Sequence, residues 1–286
     1  MILDNVLNKD KKTQFTRANA EATVVTITPE LAKEMLLTSP GNRRLRQWYV
    51  SMLAGAMKRG EWRVTSQGIG FDRNGQLVDA HHRLNACIVA NKPFKSVVVF
   101  GLERAAYAVI DTGINRTYGD RMNEPSAVAD VLRLAGVYFC GTNKPTVDQI
   151  RPIADAGLRD AVQALTDYCG TRTRFYSTAP VKLAACITIM NGGDIGYVLD
   201  QYRALCTLNF RDMSSASQSL VRNVESRKAA AINTRETIAR ALRTFDVTRR
   251  NLTKIQIRPT DAENAIELVR VVLRRSVDQM NSHTEK

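Results

Sequence analysis

The spacing of apolar positions changes character once, near Asp120. Before it, short β-branched runs alternate with stretches of helical spacing; beyond it only helical spacing recurs. Val24 to Ile27 predicts a first strand. Thr28 as N-cap with Pro29 at the first helical position predicts a helix to about Leu37, broken at Ser39-Pro40-Gly41. Asn42 is expected to cap a second helix, Arg43 to Arg59, whose Leu45, Tyr49, Leu53 and Met57 form an apolar face and which Gly60 ends. Asn74-Gly75 between Phe71-Asp72 and Gln76-Leu77-Val78 predicts a hairpin with a type I′ turn, in which both central residues have positive φ. Asp79 is then expected to N-cap a short helix through Leu84, Cys87 and Ala90. Ser96 to Phe100, apolar almost throughout, predicts a strand inside the sheet, and Tyr107 to Ile110 another.

In the second half, Ala127 to Cys140, Thr146 to Ala156, Leu158 to Tyr168, Ala179 to Met190, Tyr197 to Leu208, Ser217 to Val224, Arg227 to Phe245 and Ala262 to Met280 read as helices. The plan is therefore α+β: a mobile arm over residues 1–20, a domain with a small mixed sheet over 21–120, and an all-α domain over 121–286, itself a candidate for nucleic-acid binding.

An apolar fraction of 44% over 286 residues suits a folded protein. No apolar run is long enough to span a bilayer and the first residues are polar, so a cytoplasmic protein without membrane partners is expected. The five cysteines are widely spaced with no CxxC pair, which predicts reduced thiols and no structural zinc. Charge changes the picture most. At +13 the chain favours polyanionic partners, nucleic acid first. Gly41 to Gly60 holds Arg43, Arg44, Arg46, Lys58 and Arg59 without an acidic residue. Such a cluster suits phosphate contact at both helix ends, in a nucleotide or in DNA; a solvated face is the alternative. Arginines 222, 227, 235, 240, 243, 249, 250 and 258 make Leu220 to Pro259 basic, and a helix with arginines along one side beside the Arg249-Arg250 loop is suited to track a phosphate backbone.

Two of the three histidines stand in the turn Asp79-Ala80-His81-His82-Arg83. The backbone N–H groups of Ala80 to Arg83 would open a helix, where the macrodipole favours an anion, with Arg83 beside them to grip phosphate oxygens. Adjacent histidines point in different directions on a helix, so no two-histidine metal site is expected. After the strand at Tyr107 to Ile110, the polar loop Asp111 to Thr117 presents a carboxylate, Asp111, and a guanidinium, Arg116.

The run Leu77-Val78-Asp79-Ala80-His81-His82-Arg83-Leu84-Asn85-Ala86, preceded by Gln67-Gly68-Ile69, resembles the nucleotide-phosphate box of the ParB/sulfiredoxin superfamily. The matching box is Gly-Glu-Arg-Arg in ParB partition proteins, which bind CTP, and Gly-Cys-His-Arg in sulfiredoxin, which binds ATP. It is Asp-Gly-His-His-Arg in the ParB-like free serine kinases. More narrowly, Asn42-Arg43, Gly60-Glu61-Trp62 and Ile110-Asp111-Thr112-Gly113 with Arg116 resemble elements of phage-encoded ParB-like proteins. The resemblance covers about residues 24–120.

It implies a ParB/sulfiredoxin-like N-terminal domain holding ATP or CTP with Mg²⁺, with Arg83, Ala80, Gln67, Arg43 and Arg116 as nucleotide contacts. Asp79, His81, His82 and Asp111 are the implied catalytic groups: a histidine donates to a phosphate oxygen, and Asp79 orients a histidine, accepts a substrate proton or holds the ion. Arg44, Arg46, Arg249 and Arg250 are the expected nucleic-acid contacts. The implied activity is phosphotransfer or NTP hydrolysis in phage DNA metabolism or modification, in the cytoplasm of an infected bacterium. A non-enzymatic DNA-binding protein and an inhibitor of a host factor are the alternatives, and the reading admits a homodimer. Two departures stand out. Ala80 occupies the superfamily's glycine position, and His81 occupies the sulfiredoxin cysteine position with Cys87 on the following helix, so sulfinic acid reduction is not expected.

Overall fold

The computed structural model describes residues 14–39, 45–103, 116–169, 176–225 and 233–284. Two compact units emerge, Met1–Ile114 and Asn115–Lys286. The first is a small mixed four-stranded sheet with helices, and the second is mostly helical.

In the first unit, strands β1 (Glu21–Ile27), β2 (Ile69–Asp72), β3 (Leu77–Asp79) and β4 (Phe94–Leu102) lie in the order β1-β4-β2-β3. β1 pairs antiparallel with β4, β2 parallel with β4, and β2 antiparallel with β3. β4 is interior, as its apolar run predicts. Helix α1 (Pro29–Leu37) starts at the Thr28 cap, whose hydroxyl accepts the Leu31 N–H at 3.2 Å. Helices α2 (Gln47–Lys58) and α3 (His81–Ala90) complete the unit. Ile27, Met35, Ile69, Phe71, Leu84, Cys87 and Val98 are buried together in one core.

Three local expectations are corrected. The hairpin forms, but its turn runs from Asp72 to Gly75, closed by Gly75 N–H to Asp72 O at 3.0 Å, and only Gly75 has positive φ. The Asp72 carboxylate selects this longer loop by accepting the N–H groups of Asn74 and Gln76, each at 2.9 Å. The described part of the expected mobile arm, from Gln14 to Ala20, is anchored: Phe15 is buried and stacks on Phe71 with centroids 4.5 Å apart. Residues 1–13 lie outside the described set. Finally, α2 begins at Gln47 rather than Arg43, because Arg46 is extended (φ −93°, ψ 99°) and acts as its N-cap. Asn42, expected to cap it, and the strand expected at Tyr107 to Ile110 lie outside the described residues.

In the second unit the helices are α4 (Tyr118–Met122), α5 (Ser126–Cys140), α6 (Val147–Ile153), α7 (Arg159–Tyr168), α8 (Ala179–Met190), α9 (Ile195–Thr207), α10 (Ser215–Glu225), α11 (Thr234–Phe245) and α12 (Pro259–Thr284). A π turn, Ala154–Leu158, joins α6 to α7 through Gly157 at φ 102°. α8 is buried without interruption from Val181 to Ile187, so its neighbours pack around it. Among the described residues no helix is long and apolar enough to cross a membrane.

Candidate phosphate-binding turn

The chain leaves β3 and enters α3 through a single residue, Ala80, at φ 91° and ψ 12°. This left-handed conformation costs an alanine about 1–2 kcal/mol, because Cβ crowds the following carbonyl. It persists because the surroundings fix it. The Ala80 side chain is buried, its N–H donates to Asp79 Oδ1 at 2.5 Å, and its carbonyl accepts the Leu84 N–H at 3.0 Å. Ala80, not Asp79, is therefore the N-cap. The Leu84 bond is the first of the helix, so the N–H groups of His81, His82 and Arg83 lie in the opening turn, where a helix offers no carbonyl partner.

Arg83 is placed differently from the expectation that it grips phosphate. Its guanidinium points inward, donating to the carbonyls of Gln67 and Gly68 and to Asp79 Oδ2, the last two at 2.8 and 2.9 Å. The reason is the irregular chain before β2, whose carbonyls have no ladder and need donors. Gly68 lets that chain lie close, since a Cβ there would sit 2.7 Å from Val97 O. Arg83 thus clips the Gln67-Gly68 backbone to the turn, and Gln67 takes part through its carbonyl.

His82 joins the turn to α2. Its Nε2 accepts the Arg46 N–H at 3.1 Å, and its ring meets Tyr49 edge-on with centroids 5.4 Å apart. An accepting Nε2 carries no proton, so any proton that His82 donates comes from Nδ1. The contact brings the N-terminal ends of α2 and α3 together, with the Arg46 side chain and the Trp48 ring exposed beside them. His81 Nδ1 is buried without a hydrogen-bond partner, and burial lowers this group below its ordinary value of 6.5. A neutral imidazole thus lies next to two helix ends that favour negative charge. Such an arrangement can bind an anion by backbone N–H groups and offer it a neutral donor. Tyr49 and Gly68 were not anticipated. Tyr49 reads as one more apolar-face position, and nothing local in the sequence marks the approach of Gly68 to β4.

Of the remaining expected residues, Arg43, Arg44 and Asp111 lie outside the described set. Arg116 belongs to the second unit, where it is exposed and helps hold the Asp120 carboxyl low, after the larger effect of the Thr117 side-chain and backbone hydrogen bonds. Cys87 is buried, its thiol directed at Lys92 O (3.2 Å) and pushed up to about 11 by burial and by Glu30, so it is no nucleophile. Among the described residues no cluster of three or more His, Cys, Asp or Glu side chains is placed to hold a metal ion.

The arginine-rich segment of the second unit is corrected at three of its members. Between α11 and α12 the chain from Asn251 to Arg258 has no regular structure, and arginines serve its carbonyls. Arg222 donates to Thr253 O at 3.4 Å, buried Arg240 to Ile255 O at 2.7 Å, and Arg243 to Gln256 O, while Ser219 Oγ accepts the Ile255 N–H at 3.0 Å. Arg243 also pairs with Asp261 at 2.9 Å. At these positions the guanidinium groups are therefore engaged by the chain's own carbonyls, with Arg240 buried, Arg243 half-buried and Arg222 exposed. Arg249 and Arg250 remain exposed on the 3-10 turn after α11, Arg249 paired with Asp246 at 3.0 Å. A cleft of about 620 Å³ opens nearby, lined by Asn191, Asp194, Asp246 and Asp261 among others. Its carboxylates are already hydrogen-bonded within the chain, to Tyr197 N–H, to Thr248 and to Arg258 N–H.

No protein-family model, curated protein or solved structure matches the chain.

Proposed function

We propose that the chain is a nucleotide-binding protein of the ParB/sulfiredoxin-like kind, holding ATP or CTP at the Ala80 to Arg83 turn and acting with DNA in phage DNA metabolism or modification. One observation carries the reading: Ala80, at the superfamily's glycine position, adopts φ 91°, a left-handed backbone that glycine takes without strain. The meeting of two helix N-termini at His82 and Arg46 supports it, since both dipoles favour phosphate. A triphosphate fits these groups. Mg²⁺ would come with the nucleotide, with Asp79 as the carboxylate within the turn to meet it and Arg83 holding that carboxylate in place. The ion supplies charge neutralisation for phosphoryl transfer, to an acceptor or to water. The chain contributes position, the N–H groups of the opening helical turn, and His81 as a neutral imidazole able to donate a hydrogen bond.

Titration calorimetry with ATP, CTP and GTP in Mg²⁺ tests this. At least one should bind saturably, and His82→Ala together with Arg46→Ala should weaken it about tenfold or more while leaving the fold intact by circular dichroism. Absence of binding to all three overturns the proposal. The net charge of +13 and exposed Arg46, Arg249 and Arg250 favour a second role, DNA contact through phosphates. Its mark is an affinity that falls steeply between about 50 and 200 mM salt.

A further inference from the structure

We infer that the outer edge of β1, unpaired among the described residues, is the interface of a homodimer, in which two copies of Glu21–Ile27 pair antiparallel about Val24 and join two four-stranded sheets into one. This goes beyond the nucleotide reading and does not depend on it.

The two edges of the sheet are built differently. β3 is three residues long, has Leu77 and Val78 buried, and meets its partner through a register shift between Gly70 and Phe71. Short length and bulges of this sort discourage pairing with another chain. β1 has none of these devices. It is seven residues long and pairs with β4 in unbroken register from Glu21↔Phe100 to Ile27↔Phe94. Its sequence, EATVVTI, is β-branched, without lysine, proline or glycine, and carries one charge, at its end. Among the described residues only β4 pairs with it, and it is exposed from Glu21 through Val24. Val24 is 58% exposed although it is a valine inside a strand. An unprotected edge of this length offers a row of N–H and C=O groups to a partner strand.

A second copy fits this edge without mismatch. Val24 is the middle residue, so an isologous antiparallel pairing centred on it aligns all seven positions with no overhang. Val24 then meets Val24 of the other copy, Thr23 meets Val25, Ala22 meets Thr26, and Glu21 meets Ile27. Opposed residues share a face in this register, as a two-fold axis normal to the sheet requires. The exposed valine is covered by its own copy. The two Glu21 carboxylates fall at opposite ends of the ribbon, roughly 20 Å apart along the strand direction, so no like charges are opposed. The strand carries no basic side chain, which matters for a chain of +13 that must approach itself. Such pairing forms about six to eight backbone hydrogen bonds.

The test uses the full chain in sedimentation equilibrium from about 1 to 200 μM, because an interface of one strand edge is at the small end of the range. Wild type should rise to twice the monomer mass with concentration. Val24→Lys places on the edge the charge that natural edges use, and should hold the mass at monomer throughout with an unchanged urea midpoint. Val24→Cys should cross-link to a dimer under mild oxidation by oxidised glutathione, since a residue on the axis lies within disulfide range of its own copy. The paired control, Val89→Cys on the exposed surface of α3, should not. A wild-type chain monomeric at every concentration overturns the proposal. So does a dimer that survives Val24→Lys, or one in which Val89→Cys cross-links and Val24→Cys does not.

Discussion

The Asp79 to Arg83 turn and the segment from Leu220 to Pro259 both invite a phosphate reading, yet they differ in what their arginines do. At the turn a single guanidinium, Arg83, satisfies the carbonyls of Gln67 and Gly68, and the N-terminal ends of two helices meet beside it. In the helical unit Arg222, Arg240 and Arg243 all serve the irregular segment from Thr253 to Gln256, while Arg235, Arg249, Arg250 and Arg258 lie exposed at the surface. The lesson is that arginine is drawn to unpaired carbonyls first. Its five donors suit backbone that has left regular structure. A cluster of arginines beside a long irregular connection is therefore as much a sign of internal stapling as of nucleic acid. The anion binding proposed for the turn rests on backbone N–H groups instead, which no side-chain inventory reveals.

The comparison breaks or sharpens under three substitutions. The largest effect is expected from Arg240→Ala, which leaves the buried Ile255 carbonyl without its donor and opens a cavity; it should destabilise the chain by about 3 kcal/mol in urea unfolding. Arg249→Ala, at the surface, should change stability by less than about 0.5 kcal/mol. Equal effects would erase the distinction between stapling and surface arginines. Next, Ala80→Gly should stabilise by about 1 kcal/mol, because glycine meets φ 91° without the Cβ clash. A destabilised Ala80→Gly protein would show that the turn does not hold the left-handed backbone. The smallest effect concerns pH. Burial depresses His81, so the unfolded chain binds its proton more readily than the folded one. Stability is then fully present above pH 6.5, the ordinary value, and is lost as pH falls through the lower folded value. Urea midpoints at about pH 7.5 and 5.5 should differ more for wild type than for His81→Gln, and equal pH slopes would refute the burial of that imidazole.

Much of the architecture could be read from local pattern. Thr28-Pro29, the apolar run in β4, the hairpin at Asn74-Gly75 and the change to helices beyond Asp120 are signals within a few residues of where they act. The turn type was not readable, because Asn74-Gly75 permits a two-residue turn and the Asp72 carboxylate, two residues earlier, selects a longer one. The start of α2 was not readable either. Arg46 is held extended by His82, which is 36 residues away along the chain.

The histidine turn followed by a helix, the basic balance, and the α+β plan with a helical second half were fixed by residue order, since capping, periodicity and charge are properties of neighbours. Contact across the fold decided the rest: that Ala80 takes a glycine's backbone, that Arg83 and Arg240 face inward, that Phe15 anchors what reads as an arm, and that β1 is left at an edge. Each depends on which unpaired backbone group or apolar surface comes within reach after the chain has folded, and that distance is not written in the local sequence.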